Sequence, residues 1–464
     1  MRRLKTRAVR QKLYKLENMC KNYTLFSLFS GAGGIDIGLE QAGFSTLLVN
    51  DIENYACETL RQNKNLNNVN EDNYHEWIEK TIINQKCYKK NKDEIKENLL
   101  SKLKSRKGAT VLNNANILEG DIRKFTSNFI YELTKIKKGD LTLVAGGPPC
   151  QPFSRAGKRE TVESDNGKLF LEFIRIVKDF QPRWFLFENV KGLAQSKTDI
   201  KKILCKKCQF EKIIPFEFRD NEDIYIKNFE CPYCHSSDIK IQNNIVAGGS
   251  LEIILNEFRR TGYKCEYKIL NTADYGVPQN RERIFIIGSR DNESFNWPSK
   301  THSKQTAESQ LGLLDYQNKP WVTVKDVLWK EGHPIFGTID YKKAVLWVKN
   351  VVRPHDEPVT WPLARVSPTI GAHQGAKLAY APYGVPEQQL LRQQWHTLGR
   401  RQKDLPSVDF PHAMLTDEDL LCLQTFPSWW YLHGTRMQRA FQIGNAVPPL
   451  MAKILGKNII KSCG

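Results

Sequence analysis

The sequence has no apolar run approaching the ~18 residues that a membrane-spanning helix needs, which excludes a bilayer span. Its first 23 residues, MRRLKTRAVRQKLYKLENMCKNY, are basic but hold no apolar h-region, which excludes a secretory signal. Acidic side chains are too few to balance the basic ones. Against 69 Lys and Arg stand 51 Asp and Glu, leaving +18 at pH 7 and a pI near 9.3. That balance favours a polyanionic partner over an acidic protein or a neutral metabolite, although a merely basic protein has the same composition. The eleven cysteines are an odd number, mostly scattered, and do not read as an extracellular disulfide framework. A cytoplasmic protein is expected.

The remaining pattern is an alternation of strands and helices. TLFSLFSG (24–31) is a short apolar run ending in small residues, and GGIDIGLEQAGF places Ile35, Leu39 and Ala42 on one helical face. STLLVND follows as a strand ending at Asp51, then a helix through IENYACETLRQN, a strand within NILEGDI (116–122), and DLTLVA (140–145). LFLEFIRIVKDF reads as a helix from 169, RWFLFEN as a strand ending at Glu188, LEIILNEFRRTGY as a helix, and YKCEYKILN and RIFIIG as strands. Such alternation predicts a mostly parallel sheet covered on both faces, with ligands at the carboxyl ends of its strands. Two segments interrupt it. Residues 71–115 read as a solvated insertion of one or two helices, a dedicated nucleic-acid patch being the alternative; residues 201–247 carry paired cysteines. From 290 to 412 the alternation is lost, which predicts a separate smaller domain. The large domain is expected over 24–289 and 413–464, after a basic extension at 1–23.

Three features carry chemistry. FSGAGG follows a strand and opens a helix, so it forms a tight turn under a ligand. It is a poor dinucleotide fingerprint, because Asp36 occupies the last glycine position of GxGxxG. With acidic strand ends at Asp51 and Asp121, the turn suits a nucleoside cofactor without a pyrophosphate; S-adenosylmethionine fits, and a plain βα turn remains the alternative. In DLTLVAGGPPCQPFS, two glycines and two prolines hold Cys150 in a fixed direction, as covalent chemistry or a stiff structural turn requires. Glu188 closes an apolar strand, where a half-buried carboxyl has reason to keep its proton. Arg281 and Arg283 stand two apart before a strand and are expected to point the same way.

Cys205-x2-Cys208, 22 residues, and Cys231-x2-Cys234 have the spacing of a tetrahedral zinc site. Four thiolates leave no open position, so such a metal is structural; two disulfides or free thiols are the alternative.

Taken in order, FSLFSGAGG, GGPPCQPFS, ENV, QNRER, LTDEDLLCLQTFP and QIGNAVPP resemble the motifs of the C5-cytosine-specific DNA methyltransferase family, and they span Phe26 to Pro449. The resemblance implies a Rossmann-like methyltransferase sheet, a target-recognition domain at 290–412, and S-adenosylmethionine as cofactor, released as S-adenosylhomocysteine. It implies methylation of C5 of a cytosine flipped out of a specific duplex DNA sequence. It assigns Cys150 as nucleophile, Glu188 as the acid gripping cytosine, and Arg281 and Arg283 as braces of the flipped base. Phe29, Gly31, Gly33, Gly34, Asp51, Ile52, Asp121, Ile122, Pro149, Leu169, Asn445 and Val447 are expected around the cofactor. Gln151, Ser154, Arg155, Lys158, Gln279, Arg365, Gln374 and Lys377 are expected on DNA. A monomer is expected, nucleoid-associated when on DNA, with a restriction endonuclease acting on the same sequence without stable association. An RNA cytosine methyltransferase and an inactive DNA-binding module are the competing readings. The chain departs from the family pattern at Asp51, where glutamate is common, and at Ala413 and Met414, where an arginine usually precedes LT. The brace that arginine gives then has to come from elsewhere.

Overall fold

The computed structural model describes residues 23–70, 73–83, 92–106, 109–149, 168–219, 221–304, 318–328, 344–352, 358–371, 378–382 and 413–463. Ten strands build the parts that matter here: β1 (Tyr23–Leu28), β2 (Phe44–Asp51), β3 (Asn116–Glu119), β4 (Leu143–Gly146), β5 (Trp184–Val190), β6 (Lys197–Cys205), β7 (Glu211–Ile213), β8 (Ile239–Ala247), β9 (Lys264–Asn271) and β10 (Glu282–Ser289). Seven of them form one sheet in the order β3-β2-β1-β4-β5-β10-β9. β1 to β5 run parallel, and β10 runs antiparallel to both β5 and β9.

The mixed edge follows from connection length. Helices cross between the first five strands, whereas β9 and β10 are joined through the short turn Thr272–Tyr275, too short for a crossover. β4 starts at Leu143, later than the apolar pattern suggested, and β5 continues past Glu188 to Val190. The central strands are buried almost throughout, which is why they read as continuous apolar runs.

One core layer is aromatic. Phe185 stacks on Phe258 at 4.2 Å, and Phe173 meets Phe187 edge-on at 5.3 Å, joining β5 to helices Leu169–Phe180 and Gly249–Arg260. The other layer seats helix Gly34–Ala42 against the last helix, Pro449–Ser462. These two approach so closely that a Cβ at Gly38 would lie 2.3 Å from the Pro449 carbonyl oxygen. That last helix brings Cys463 into the same apolar cluster as Tyr23 at the head of β1, and Arg183 Nη1 donates to the Cys463 carbonyl at 2.9 Å.

The 71–115 insertion contains two helices, Tyr74–Ile83 and Lys92–Arg106, as expected. It is more than a solvated appendage. Trp77, Ile78 and Leu99 are buried with Tyr431, Lys102 Nζ donates to the Trp430 carbonyl at 3.1 Å, and the Arg106 guanidinium lies 5.0 Å from the Trp429 ring. β7-β6-β8 form a separate three-stranded sheet that begins at Lys197. A four-stranded sheet joins Pro358–Pro362, Ala344–Val352, Leu378–Pro382 and Ala413–Met414.

Asp36 is fully buried in the first turn of helix 34–42, and neither carboxylate oxygen has a hydrogen bond of normal geometry. Burial pushes its pKa up to about 7, the neighbouring Ser27 hydroxyl offsetting part of this and Glu40 adding to it. A carboxyl whose folded pKa lies above its unfolded value of 3.8 favours folding most below that value. The contribution is lost as pH rises through about 7. Asp36→Asn is therefore expected to raise the melting temperature relative to wild type at pH 8. The gap should close below pH ~4, as thermal melts across that range would show.

Candidate active site

The site is built at the carboxyl ends of β1, β2, β3, β4 and β5. After Leu28 the chain turns sharply, with Phe29, Gly31 and Gly33 at φ of 56°, 52° and 80°. Asp51 at the end of β2 holds this turn. One of its oxygens accepts from the Gly31 amide at 2.7 Å, and the other from the Glu53 amide at 2.9 Å. Burial raises the Asp51 pKa and these amides oppose the rise. Beside it Ile52 is 62% exposed, an aliphatic side chain facing open space at the crevice.

Gly34 is set by a contact 413 residues along the chain: a Cβ there would lie 2.2 Å from the Val447 carbonyl oxygen. Helix Arg436–Asn445 thus delivers Asn445, exposed, and Val447, buried, to the glycine turn. Beyond β3, Asp121 caps a short turn and is gripped by Arg123 through contacts of 2.7 to 3.0 Å, which lowers its pKa. Ile122 is buried behind it, Pro149 is half-buried beyond β4, and Leu169 opens helix 169–180. The twelve expected cofactor positions are thereby brought to one edge of the sheet.

Cys150 lies outside the described residues, and the structure fixes what surrounds its approach. Asn189 Nδ2 donates to the Pro148 carbonyl at 3.3 Å, tying the segment before the cysteine to β5. A Cβ at Gly147 would lie 2.6 Å from Glu188 Oε2, so the second glycine of GGPPC exists to make room for that carboxyl. Glu188 is 8% exposed, and Arg283 Nε sits 3.1 Å from its Oε1. Burial raises the Glu188 pKa, with Arg283 and then Arg281 opposing. Gly147, Glu188 and Arg283 form one packed unit.

Arg281 and Arg283, both close enough to act on the Glu188 charge, have different hydrogen-bonding and ion-pair partners. Arg283 lies on β10 beside Glu188. Arg281 precedes the strand, is 1% exposed, and donates to the carbonyls of Gly444 at 2.9 Å, Asn445 at 3.3 Å and Ile370 at 3.4 Å. Its grip is on the returning chain. Gln279, expected on DNA, is fully buried; its Oε1 accepts from the Ile370 amide at 3.1 Å. Here it braces the 367–370 segment. Arg365 is exposed. Gln151, Ser154, Arg155, Lys158, Gln374 and Lys377 lie outside the described residues. Next to Ala413 and Met414, Arg436 donates to the Leu415 carbonyl at 2.6 Å, and Arg439 lies 2.5 Å from Asp417. The tie made by Asn189 of the ENV motif depends on the position of Pro148, which only the folded chain reveals.

Cys205, Cys208, Cys231 and Cys234 converge, all four Sγ atoms lying within 4.8 Å of one another. Cys205 and Cys234 are 3.5 Å apart, and Cys208 and Cys231 are 3.4 Å apart, well beyond the ~2.0 Å of a disulfide. Bonds of about 2.3 Å to a tetrahedral zinc would separate the sulfurs by ~3.8 Å, so the cluster is of the right size to hold one.

Because Gly34 has no space for a methyl group, Gly34→Ala is expected to force helix 436–445 away from the turn. A cost of about 1–3 kcal/mol would appear in denaturant unfolding.

Comparison with known proteins agrees with this geometry. The family described as "C-5 cytosine-specific DNA methylase" matches residues 23–89, 91–211 and 243–461. The chain is similar to Type II methyltransferase M.AquIA of Picosynechococcus sp. (strain ATCC 27264 / PCC 7002 / PR-6), 30% identical over 312 residues, 66% of this chain and 87% of that one. It is similar also to Type II methyltransferase M1.HphI of Haemophilus parahaemolyticus, 26% identical over 455 residues, 95% of this chain and 88% of that one. Type II methyltransferase M.BsuRI of Bacillus subtilis is 27% identical over 461 residues, 96% of this chain and 81% of that one. The chain belongs to the C-5 cytosine-specific DNA methylase family, enzymes that methylate C5 of cytosine using S-adenosylmethionine.

Proposed function

We propose that this enzyme methylates a cytosine within a specific sequence of duplex DNA, through a covalent bond between Cys150 and C6 of a flipped-out base. The observation that carries the reading is the buried Glu188 carboxyl, seated between Gly147 and Arg283 at the entrance to the Cys150 segment. A target carbon inside a duplex is out of reach, so the base must leave the stack. Cytosine C5 is a poor nucleophile until the ring is activated. Glu188, with its pKa raised by burial, supplies a hydrogen bond or proton at N3 while the Cys150 thiolate adds to C6. C5 then becomes nucleophilic. When bound, S-adenosylmethionine supplies the electrophilic methyl group, held by the turn at Phe29, Gly31, Gly33 and Gly34, by Asp51 and Ile52, by Asp121, and by Asn445 and Val447. Loss of the C5 proton expels Cys150. Arg283 keeps the Glu188 carboxyl oriented, and Arg281 acts at one remove through the returning chain.

Residues 290–412 are proposed to choose the target sequence, Arg365 among the groups available for phosphate or base edges. The net +18 supports phosphate contacts. We assign the four cysteines to one structural zinc. Among the described residues no helix is long and apolar enough to cross a membrane.

A duplex carrying 5-fluorocytosine at the target should trap the wild-type enzyme as a denaturation-resistant adduct. Cys150→Ala should form none while still binding cofactor. Gly147→Ala, which displaces Glu188, is expected to lower kcat about 100-fold with little change in cofactor affinity. Turnover by Cys150→Ala would overturn the nucleophile, and methylation of tRNA in preference to duplex DNA would favour the RNA reading.

Zinc supplies a second check. Freshly purified, reduced protein should hold one zinc per chain, lost in Cys205→Ser or Cys231→Ser, with 197–247 becoming protease-sensitive before the main sheet. Metal analysis finding none would overturn it.

A further inference from the structure

The turn that carries Asp121 has little to hold its own shape. Ile122–Lys124 is a single 3-10 turn. Its internal bonds run from the Lys124 amide to the Asp121 carbonyl at 3.0 Å and from the Phe125 amide to the Ile122 carbonyl at 3.2 Å. The Phe125 ring packs back on Gly120, just before Asp121. Wherever Phe125 goes, the residue that leads into the acid goes too.

One side chain from another element fixes both ends of this turn. Arg175 lies on helix Leu169–Phe180. Its Nη2 donates to the Ile122 carbonyl and to the Phe125 carbonyl, each at 3.1 Å, and its Nη1 donates to Ser127 Oγ at 3.1 Å. Nε donates to Glu172 Oε2 at 2.8 Å, one turn back on the same helix, which sets the plane of the guanidinium. The Ser127 hydroxyl donates in turn to Asp179 near the end of that helix. A planar fork of donors can serve three acceptors spread over 122–127 while staying on Glu172; a lysine ammonium is a point charge without that reach. Arg123 has a different duty. It grips the Asp121 carboxylate but belongs to the turn itself, so it cannot fix where the turn lies.

We propose that Arg175 is the positioning residue for recognition of the cofactor's adenine amino group, holding Asp121 in register with Leu169 at the start of the same helix. The proposal rests on the reading of Asp121 as the acid that meets this amino group. Three donors of Arg123 (its amide, Nε and Nη2) reach the two Asp121 oxygens. A carboxylate offers about four acceptor positions, so one is left for the base. Productive geometry tolerates displacements of only about 0.5 Å, so a loosened turn loses the choice of base edge before it loses the fold.

The test uses isothermal calorimetry on the full zinc-loaded chain with two ligands, S-adenosylhomocysteine and its inosine counterpart, in which a carbonyl oxygen replaces the amino group. Wild type should bind the adenosyl form at least about tenfold more tightly, because the carbonyl brings a second acceptor to the carboxylate. Asp121→Ala should retain less than about a threefold preference. Arg175→Ala and Arg175→Lys should show the same loss although Asp121 is intact, and the lysine variant carries the test if the alanine variant does not fold. A merely structural role would weaken both ligands by one factor and leave their ratio at the wild-type value. That ratio in Arg175→Lys, or in folded Arg175→Ala, would overturn the proposal while leaving Asp121 in place. A wild type without preference, or an Asp121→Ala protein that keeps it, overturns the reading of Asp121 and the proposal with it.

Discussion

The buried guanidinium of Arg281 is the constraint on which the site depends. It is 1% exposed, and its two terminal nitrogens donate to the carbonyls of Gly444, Asn445 and Ile370. Planar, always charged and rich in donors, Arg can pin several carbonyls at once where Lys could not. Desolvating it is costly, and leaving those carbonyls unpaired would add to the cost, so the three segments it joins are held as a unit. Through Gly444 and Asn445 it fixes the segment that reaches Val447, and Val447 presses on Gly34 where the glycine turn passes into helix Gly34–Ala42. Two residues further on, Arg283 orients Glu188. The glycine turn and the Glu188 carboxyl therefore share one anchor.

Around this anchor the glycines have distinct duties. Gly31 and Gly33 permit a backbone turn that a side chain would strain, whereas Gly34 and Gly147 have ordinary dihedral angles and are required by what lies opposite. The first kind can be read from a strand running into GAGG. The second kind cannot, because the Val447 carbonyl and the Glu188 carboxyl are brought there only by the folded sheet. The same distinction explains Gln279 and Arg281. Their polar groups suit a base edge as well as a buried partner, and only the packing decides that Gln279 Oε1 accepts from the Ile370 amide while Arg281 donates to the Gly444 carbonyl.

Motif order, the parallel sheet, the acidic strand ends and the cysteine spacing were all legible because each is a local pattern. The antiparallel edge was legible only by implication, since no helix separates YKCEYKILN from RIFIIG. The helical hairpin at 74–106 was underestimated because its buried face is small, and its partner, Tyr431, is more than 300 residues away. An apolar face that meets a distant aromatic looks, in sequence, like an ordinary polar helix.

The meeting of Tyr23 and Cys463 in one apolar cluster has a topological meaning. Strand β1 and helix Pro449–Ser462 are neighbours, so among the described residues the path from β1 to that helix nearly closes on itself. In such a ring the position of the break is no part of the architecture. The same elements could follow one another in a permuted order, helix Pro449–Ser462 leading into β1, and deliver the described groups to the same crevice. Linear order would then be a record of ancestry, and the catalytic geometry would be indifferent to it.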